Sequence, residues 1–303
     1  MKFALPLFAL PLRHYIEVAQ AAEANGFDTL LMPEHLVLPY PMPDTYPGTS
    51  DGVAPIVPET PTFDPWVTLG AVAACTTTIR LATSVYILPL RHPVVTNRAL
   101  VTLDRISRGR VTLGAGVGWN RPEFEAAGQD FDTRGPRTDE IIGILREFWT
   151  EKVIEHHGPH YDIGPVMFEP KPVQKPGIPI EIGGDSNPAI RRAGRLGDGW
   201  QDHSAYLRGG VELLQDRLDL LQRHRREAGR EGLPFEISVP GHNTWDLDEV
   251  HRLEEMGVTR VNGAQPQTGH AYGKGEDRSR VPTTVGEWTD RIKQFGDEVI
   301  AKA

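Results

Sequence analysis

The sequence has little cysteine, no excess of positive charge and no long apolar run. Its single cysteine, Cys75, excludes an internal disulfide and lies in an apolar helical run, which predicts inert core packing in a reducing compartment. The formal net charge of −9 disfavours a general nucleic-acid binder, because no basic excess is present to neutralise phosphates. No apolar run approaches the length of a membrane span. We therefore expect a cytoplasmic protein with a small-molecule substrate and neither a nucleic-acid nor a membrane partner.

Two common phosphate-binding fingerprints are absent as well, although the stretch GRVTLGAGVGWNRPEFEAAG (109–128) carries three alternate glycines. A dinucleotide-binding turn needs G-x-G-x-x-G, and counting from Gly114 places Trp119 at the third glycine. A P-loop needs Gly-Lys-Ser/Thr, and no lysine occurs between Lys2 and Lys152. Because glycine has no Cβ, these glycines instead predict a strand end that a flat or bulky group can approach closely.

Apolar runs of strand length alternate with helical segments along the chain. The runs are mostly continuous rather than alternating, as expected for parallel strands buried on both faces. Helical crossovers between eight such strands predict an α/β fold, a closed (β/α)8 TIM barrel with loop insertions, over a single domain of residues 1–303. The eight candidate strands are FALPLFAL, FDTLLMPE, IRLATSVYIL, RVTLGAGV, IPIEIGG, GDGWQD, FEISVP and VTRVNGA.

Three long segments interrupt this alternation, at 37–62, 153–177 and 263–284. Long irregular loops in compact domains are usually functional or mobile. The first and third follow strands two and eight, which places them at the carboxyl-terminal rim of the barrel, where active sites are built. The middle segment follows a helix and is expected to form an extended hairpin away from that rim. Tyr40, Tyr46 and Tyr272 in the rim loops are candidates for either packing or lining a pocket.

Two strand ends carry candidate functional residues. The second strand ends in MPEH, which places Glu34 and His35 at the barrel mouth, where a histidine can exchange a proton near neutral pH. A rim histidine that caps a loop is the alternative. The fifth strand ends in Gly183, Gly184, Asp185 and Ser186 before a helix, and free amides at a helix start attract anions. An ordinary strand-to-helix turn is the alternative there.

Other kinds of catalytic site have little support in the sequence. His156, His157 and His160 suggest a metal site, but a fourth ligand at regular spacing is missing, and no metal is expected. The G-x-S-x-G elbow of serine hydrolases is absent, and the only cysteine lies in a helical run. Both observations disfavour nucleophilic hydrolysis.

The segments 26–35, 80–149 and 179–200 resemble the bacterial luciferase-like family of flavin- and deazaflavin-dependent oxidoreductases. The resemblance covers most of residues 1–202 and is most specific over 103–128, where a Ser-x-Gly-Arg, the alternate glycines and a Trp-Asn pair are in register. Members are (β/α)8 barrels, usually oligomeric, that hold FMN or the deazaflavin coenzyme F420 at the barrel mouth. The resemblance therefore implies an F420-dependent oxidoreductase, a homodimer, and a possible separate F420 or flavin reductase as a partner.

The same resemblance assigns roles to particular positions. His35 is implied as the catalytic residue facing the reactive carbon, and Glu34 as its acidic neighbour. A bulge in strand three with a non-prolyl cis peptide, implied at Ser84 and Val85, supports the ring from behind. One departure is Trp119, which stands where some F420 dehydrogenases have a glutamate, so their proton donor is missing and sugar-phosphate dehydrogenation is disfavoured. The implied cofactor contacts are Gly116, Val117, Gly118 and Asn120 at the ring and Gly183, Gly184, Asp185 and Ser186 at the ribityl-phosphate tail.

The cofactor determines the reaction class. F420 carries carbon where a flavin has N5, so it transfers hydride between C5 and a small organic substrate. Reduced FMN reacts with oxygen, and an FMN-dependent monooxygenase is the alternative function. A third possibility is a non-catalytic flavin-binding barrel, which would keep the glycine-rich cradle but would not need His35.

Overall fold

Eight parallel strands close into a barrel in a computed structural model, which describes residues 1–7, 10–264, 282 and 284–303. Each strand pairs in parallel with its neighbours, and the last pairs with the first. The predicted (β/α)8 TIM barrel is confirmed. Its strands are β1 (Lys2–Pro6), β2 (Thr29–Met32), the two-part third strand β3 (Arg80–Thr83) and β4 (Tyr86–Ile87), β5 (Val111–Gly116), β8 (Ile180–Gly183), β9 (Gly199–Gln201), β10 (Glu236–Val239) and β11 (Arg260–Asn262).

Each candidate strand overlaps an observed one, but the third is divided. The break falls at Ser84 and Val85, where the peptide bond is cis, as the family resemblance implied. Both parts pair with β5, so the strand resumes on the same neighbour after the break. The break lies at the carboxyl end of the barrel, where it places Val85 at the mouth.

Helices connect successive barrel strands and pack their apolar faces against the outside of the sheet. Several begin at a side-chain cap, such as Asp64, which accepts hydrogen bonds from the amides of Trp66 and Val67. The bounds are α1 (Tyr15–Ala24), α2 (Pro65–Cys75), α3 (Pro93–Ile106), α4 (Arg121–Ala126), α5 (Arg134–Thr150), α6 (Asn187–Leu196), α7 (Ala205–Glu227), α8 (Leu247–Glu255) and α9 (Val285–Phe295), with a π-helical turn at Gly296–Ile300.

The middle insertion forms the predicted hairpin, from β6 (Ile154–His157) and β7 (Asp162–Val166), which pair antiparallel. Its histidines bind carboxylates of the same region: His156 contacts Glu140 at 3.1 Å and Glu147 at 3.2 Å. Across the described ranges, no group of three or more His, Cys, Asp and Glu side chains is arranged to hold a metal. Through these contacts His156 joins the hairpin to α5.

The two rim insertions differ in what can be described. Residues 37–62 contain no helix or strand, yet part of this segment covers the barrel mouth. Tyr40 is 86% exposed and does not line the mouth, whereas Tyr46 does. Most of 263–284, including Tyr272, lies outside the described residues.

The prediction that Cys75 packs in the core is wrong. Cys75 is exposed at the last position of α2. The reason is that α2 is apolar on every side, so its sequence pattern does not distinguish the outward face from the inward one. Among the described residues no helix combines the length and apolarity needed to cross a membrane.

Candidate functional site

A cavity of about 880 Å³ opens at the carboxyl-terminal ends of the barrel strands. Every barrel strand contributes to its wall, through residues at or directly after its carboxyl end; β1 and β11 contribute their last residues, Pro6 and Asn262. Such a volume suits a small molecule or the ring system of a cofactor. Residues that line it include Pro6, Glu34, His35, Tyr46, Val85, Gly116, Trp119, Arg134, Asp185, Ser186, His203, His242, Trp245 and Asn262.

Nearly all the site residues predicted from the sequence meet in this cavity. Asn120 is the exception, because it is fully buried before the start of α4 and is not among the residues that line the cavity. Both polar atoms of its side chain are buried without a described hydrogen-bond partner. The predicted residues in the wall are Glu34, His35, Ser84, Val85, Gly116, Val117, Gly118, Gly183, Gly184, Asp185 and Ser186.

The glycines at the ends of β5 and β8 make room for the side chain of Val85. A Cβ on Gly116 would lie 2.4 Å from one Val85 methyl, and a Cβ on Gly183 would lie 2.3 Å from the other. Neither distance is sterically possible without displacement of Val85. Gly118 has a φ of +79°, a left-handed conformation that favours glycine, and its missing side chain leaves room for Phe124 and Ile87. Val85 therefore forms an apolar platform between two bare strand ends.

Glu34 is a buried carboxyl at the edge of the cavity. It forms an ion pair with Arg91 at 2.5 Å and accepts a hydrogen bond from the Ile87 amide at 2.6 Å. Arg91 also lies over the Tyr86 ring, 4.7 Å from its centroid. Burial raises the pKa of Glu34 to about 7, although Arg91 and the Ile87 amide both favour the ionised form. Arg91 and the Ile87 amide therefore fix the carboxyl in place at the edge of the cavity.

His35 is held by a second buried carboxylate, that of Glu123. The Nδ1 atom of His35 lies 2.9 Å from Oε2 of Glu123, and the amide of Leu36 donates to Oε1 at 2.7 Å. The side chain of Glu123 is fully buried in the first turn of α4. The imidazole is thus anchored on one side by α4, while its other side forms part of the cavity wall.

An aromatic group continues the wall from His35. Trp119 lies edge-on to His35 with ring centroids 6.1 Å apart, and Tyr46 lies edge-on to Trp119 at 5.2 Å. Burial, and after it the charge of Asp185, raises the pKa of Tyr46, so its hydroxyl stays neutral. Tyr46 belongs to the 37–62 segment, which therefore covers the side of the cavity next to His35.

One part of the wall is suited to an anion. Ser186 caps α6 with its side chain and lines the cavity, so the start of that helix lies at the cavity wall. Helix starts attract negative charge. Arg134 donates from Nε to the Gly118 carbonyl at 3.2 Å and from Nη1 to the Phe131 carbonyl at 2.9 Å, and it forms no ion pair with any described residue. Helix α6 is close to the start of α5, because Arg192 donates to the Gly135 carbonyl. A cation and a helix start thus share this wall.

Asp185 and His203 add further polar groups to the cavity wall. Asp185 accepts hydrogen bonds from Arg208 and, at 2.9 Å, from Ser204. Burial lowers the pKa of His203, which keeps its imidazole neutral, and its Nε2 is buried without a described partner. Asp185 is therefore available as an acceptor for hydroxyl groups, with its charge partly balanced by Arg208.

A family model described as luciferase-like monooxygenase matches residues 6–303. The chain belongs to this family. An uncharacterised protein of Mycobacterium bovis is 34% identical over the full length of both chains. The F420-dependent glucose-6-phosphate dehydrogenase of Nakamurella multipartita is 32% identical over 68% of this chain and 60% of its own length.

The fold is also similar to that of a solved structure, the coenzyme F420-dependent tetrahydromethanopterin reductase of Methanopyrus kandleri. The TM-score is 0.73 with 15% identity, over 99% of both chains. At this identity the likeness concerns the barrel alone. The family consists of oxidoreductases, so this chain is an oxidoreductase.

Three residues of this luciferase-like site were not predicted from the sequence: Glu123, Arg91 and Arg134. Glu123 lies four residues after Trp119, the position at which a glutamate is missing. The sequence did carry a signal, since α4 opens with an acidic residue in WNRPEFE directly after the glycine strand. That this residue reaches back to His35 depends on how α4 folds over the end of β2.

Proposed function

We propose that this protein is an F420-dependent oxidoreductase that transfers hydride between C5 of the deazaflavin and a small organic substrate. The observation that carries the proposal is that one cavity contains both an anchored imidazole, His35, and an anion-binding wall at Arg134 and Ser186. A proton-exchanging group and a phosphate site in one cavity are what a hydride-transfer enzyme with a phosphorylated cofactor needs. The F420-dependent relatives named above support the choice of cofactor.

The residues present fit this cofactor. Val85 offers an apolar platform for a planar ring, since Gly116 and Gly183 make room for its side chain between the two strand ends. Glu34, held at the cavity edge by Arg91 and the Ile87 amide, would place its carboxyl near a polar ring edge. The start of α6 and Arg134 would hold the phosphate, and Asp185 would accept hydrogen bonds from the ribityl hydroxyls. The remaining space beside His35 would hold the substrate.

When bound, F420 supplies a carbon that accepts or gives hydride in a two-electron step. The protein supplies the proton chemistry: His35 takes a proton from the substrate oxygen, or gives one to it, at Nε2. Trp119 and Tyr46 restrict water beside His35 and place apolar surface against the substrate. The substrate itself is left open by these features.

The family name favours one alternative, an FMN-dependent monooxygenase that uses reduced flavin and oxygen. The same ring platform and phosphate wall fit FMN. Under either function, a homodimer, a cytoplasmic location and a separate F420 or flavin reductase remain part of the proposal. A non-catalytic flavin-binding barrel remains a third possibility.

Anaerobic turnover distinguishes these functions. With F420 and a panel of alcohols, or reduced F420 and a panel of carbonyl compounds, we expect a change in absorbance at the deazaflavin band without oxygen. Turnover only with reduced FMN and oxygen would support the monooxygenase instead. Absence of turnover with either cofactor, despite tight binding, would support the non-catalytic barrel.

The His35→Ala variant tests the role assigned to the imidazole. Loss of general acid–base catalysis predicts a fall in kcat of about 100-fold or more with little change in the Kd for F420. His242→Ala is the matched control, because that imidazole also lines the cavity but is bound to the Tyr206 carbonyl at 3.0 Å. Equal turnover of His35→Ala and the unmodified protein would remove His35 from the mechanism.

A further inference from the structure

We infer that Glu123 is a positioning residue that sets the tautomer of His35, holding the ring proton on Nδ1 so that Nε2 is a proton acceptor toward the substrate. The inference rests on the proposed function for its catalytic consequence. The tautomer itself is a property of the protein alone and can be measured without cofactor or substrate.

Both oxygens of Glu123 lie within hydrogen-bond distance of a nitrogen atom. The Leu36 amide donates to Oε1 at 2.7 Å, and a backbone N–H group can only donate a hydrogen bond. The second oxygen, Oε2, faces Nδ1 of His35 at 2.9 Å. A carboxylate can only accept hydrogen bonds, so the proton between these two atoms belongs to Nδ1. The contact is shielded, since the side chain of Glu123 is fully buried.

In a neutral imidazole, a proton on Nδ1 leaves a lone pair on Nε2. Among the residues that the structure describes, none makes a hydrogen bond to Nε2 of His35, and the ring lines the cavity. A bound substrate would therefore meet an acceptor at this position. The substrate class that fits is an alcohol, because its hydroxyl group donates to such an acceptor.

Oxidation of an alcohol at this site would break one C–H bond and one O–H bond of the substrate. The carbinol C–H bond would break, and its electron pair would leave with the hydrogen as hydride, which F420 would accept when bound. The O–H bond breaks as its proton passes to Nε2, and the oxygen electron pair forms the carbonyl double bond. His35 becomes an imidazolium, which the adjacent carboxylate of Glu123 stabilises. The carbonyl product then leaves and the proton passes to solvent.

The first test measures the tautomer in the unmodified protein. Nitrogen-15 histidine labelling and NMR at alkaline pH, where free histidine is neutral, distinguish protonated from unprotonated ring nitrogens. The His35→Gln variant identifies the His35 signals by their loss. We expect Nδ1 to be protonated and Nε2 to be unprotonated. A proton on Nε2 would overturn the inference whether or not the protein proves to use F420.

The second test is the Glu123→Gln variant. A glutamine can still accept from the Leu36 amide, but its NH₂ group then donates to Nδ1 of His35, which moves the ring proton to Nε2. We expect the NMR pattern to invert, kcat for alcohol oxidation to fall about 100-fold or more, and the Kd for F420 to change less than about twofold. Glu125→Gln, an exposed position on the same helix, is the matched control and should change neither.

Each outcome is decisive for the inference. An unchanged NMR pattern or unchanged kcat in Glu123→Gln would contradict it. If that variant does not fold, the measurement on the unmodified protein still decides the tautomer. If the tautomer is as inferred but no alcohol is oxidised with F420, the positioning role of Glu123 stands and the proposed function fails.

Discussion

Gly114 is the residue at which the barrel leaves least room for a side chain. A Cβ at this position would lie 1.8 Å from the Thr83 carbonyl oxygen, a backbone atom of the neighbouring strand. We expect Gly114→Ala to lower the free energy of unfolding by about 3 kcal/mol, because β3 and β5 would have to separate. Chemical denaturation monitored by circular dichroism measures this change.

Gly143 provides the matched control. It is exposed in the middle of α5, and nothing lies within 4 Å of the position that its Cβ would take. The same change there should raise the free energy of unfolding by about 0.5–1 kcal/mol, through helix propensity. Equal effects of the two substitutions would show that the close approach at Gly114 is not a constraint.

At the scale of single residues, the sequence predicts site residues that directly follow a strand better than residues that reach the site from other elements. Glu34 and His35 could be placed at the mouth because they directly follow an apolar run. Glu123 and Arg91 could not be assigned, since each reaches its partner through the arrangement of separate elements. Asn120 shows the converse: it follows the glycine strand as expected, but its side chain is buried.

Glu23 joins two elements of the barrel exterior. Its carboxylate, in α1, accepts hydrogen bonds from the amides of Thr77, Thr78 and Ile79 and from the Thr78 hydroxyl, in the connection before β3. Burial opposes ionisation of this carboxyl, but the four donors outweigh it and lower its pKa to about 2. One side chain thus satisfies three amides that would otherwise lack a protein partner.

The lowered pKa of Glu23 predicts a pH dependence of stability. In the unfolded chain the group titrates near 4.5, so its contribution is fully present above that pH and is lost as the pH falls toward 2. We expect Glu23→Gln to lower the free energy of unfolding by about 1–2 kcal/mol at pH 7. Below about pH 3 the difference between the two proteins should shrink.

Urea denaturation at several pH values measures this difference. Glu17→Gln, a change at another acidic position of α1, is the control and should not reproduce the effect. A difference that stays constant from pH 7 to pH 3 would show that the ionised carboxylate is not what the amides bind.

At the scale of elements, hydrophobic patterning predicts the strands and misses their interruptions. Every candidate run overlaps a strand, yet the break between β3 and β4 lies inside a single run, 79–88. Helix α2 shows the same limit, because a sequence that is apolar around the whole helix does not indicate which face is buried. Cys75 was therefore predicted to be buried, although it is exposed. An apolar face on a helix indicates burial, but it does not show whether that face is buried within the chain or against another copy.

The outer face of α2 bears on the assembly of the whole molecule. Val67 is 75% exposed, and Ala71, Ala74 and Cys75 are exposed on the same helix. The adjacent helix α3 exposes Val95 and Ile106. A helix that is apolar on its solvent face is typical of an interface, so we propose that this face joins two copies of the chain.

The proposed homodimer predicts a molecular mass in solution of twice that of the chain. Introducing charge on the outer face, with Val67→Glu and Ala71→Glu together, should convert the dimer to monomer, because like charges would be buried opposite each other. Size-exclusion chromatography with light scattering measures both masses. A monomeric unmodified protein, or a double variant that stays dimeric, would exclude this face as the interface.

That residues 1–303 form one domain also remains a prediction at this scale. The barrel closes only when β1 pairs with both β2 and β11, so the two ends of the described sheet depend on each other. We expect a single unfolding transition by fluorescence and circular dichroism. Two separate transitions would indicate two domains.

The central claim is that the cavity at the barrel mouth binds a deazaflavin. Equilibrium titration of the purified protein with F420 and with FMN, each oxidised and reduced, tests it most directly. We predict a lower Kd for F420 than for FMN, and weaker F420 binding in Arg134→Ala, because that cation forms no ion pair within the described part of the chain. Tighter binding of FMN, or no binding of either cofactor at concentrations up to about 1 mM, would contradict the account.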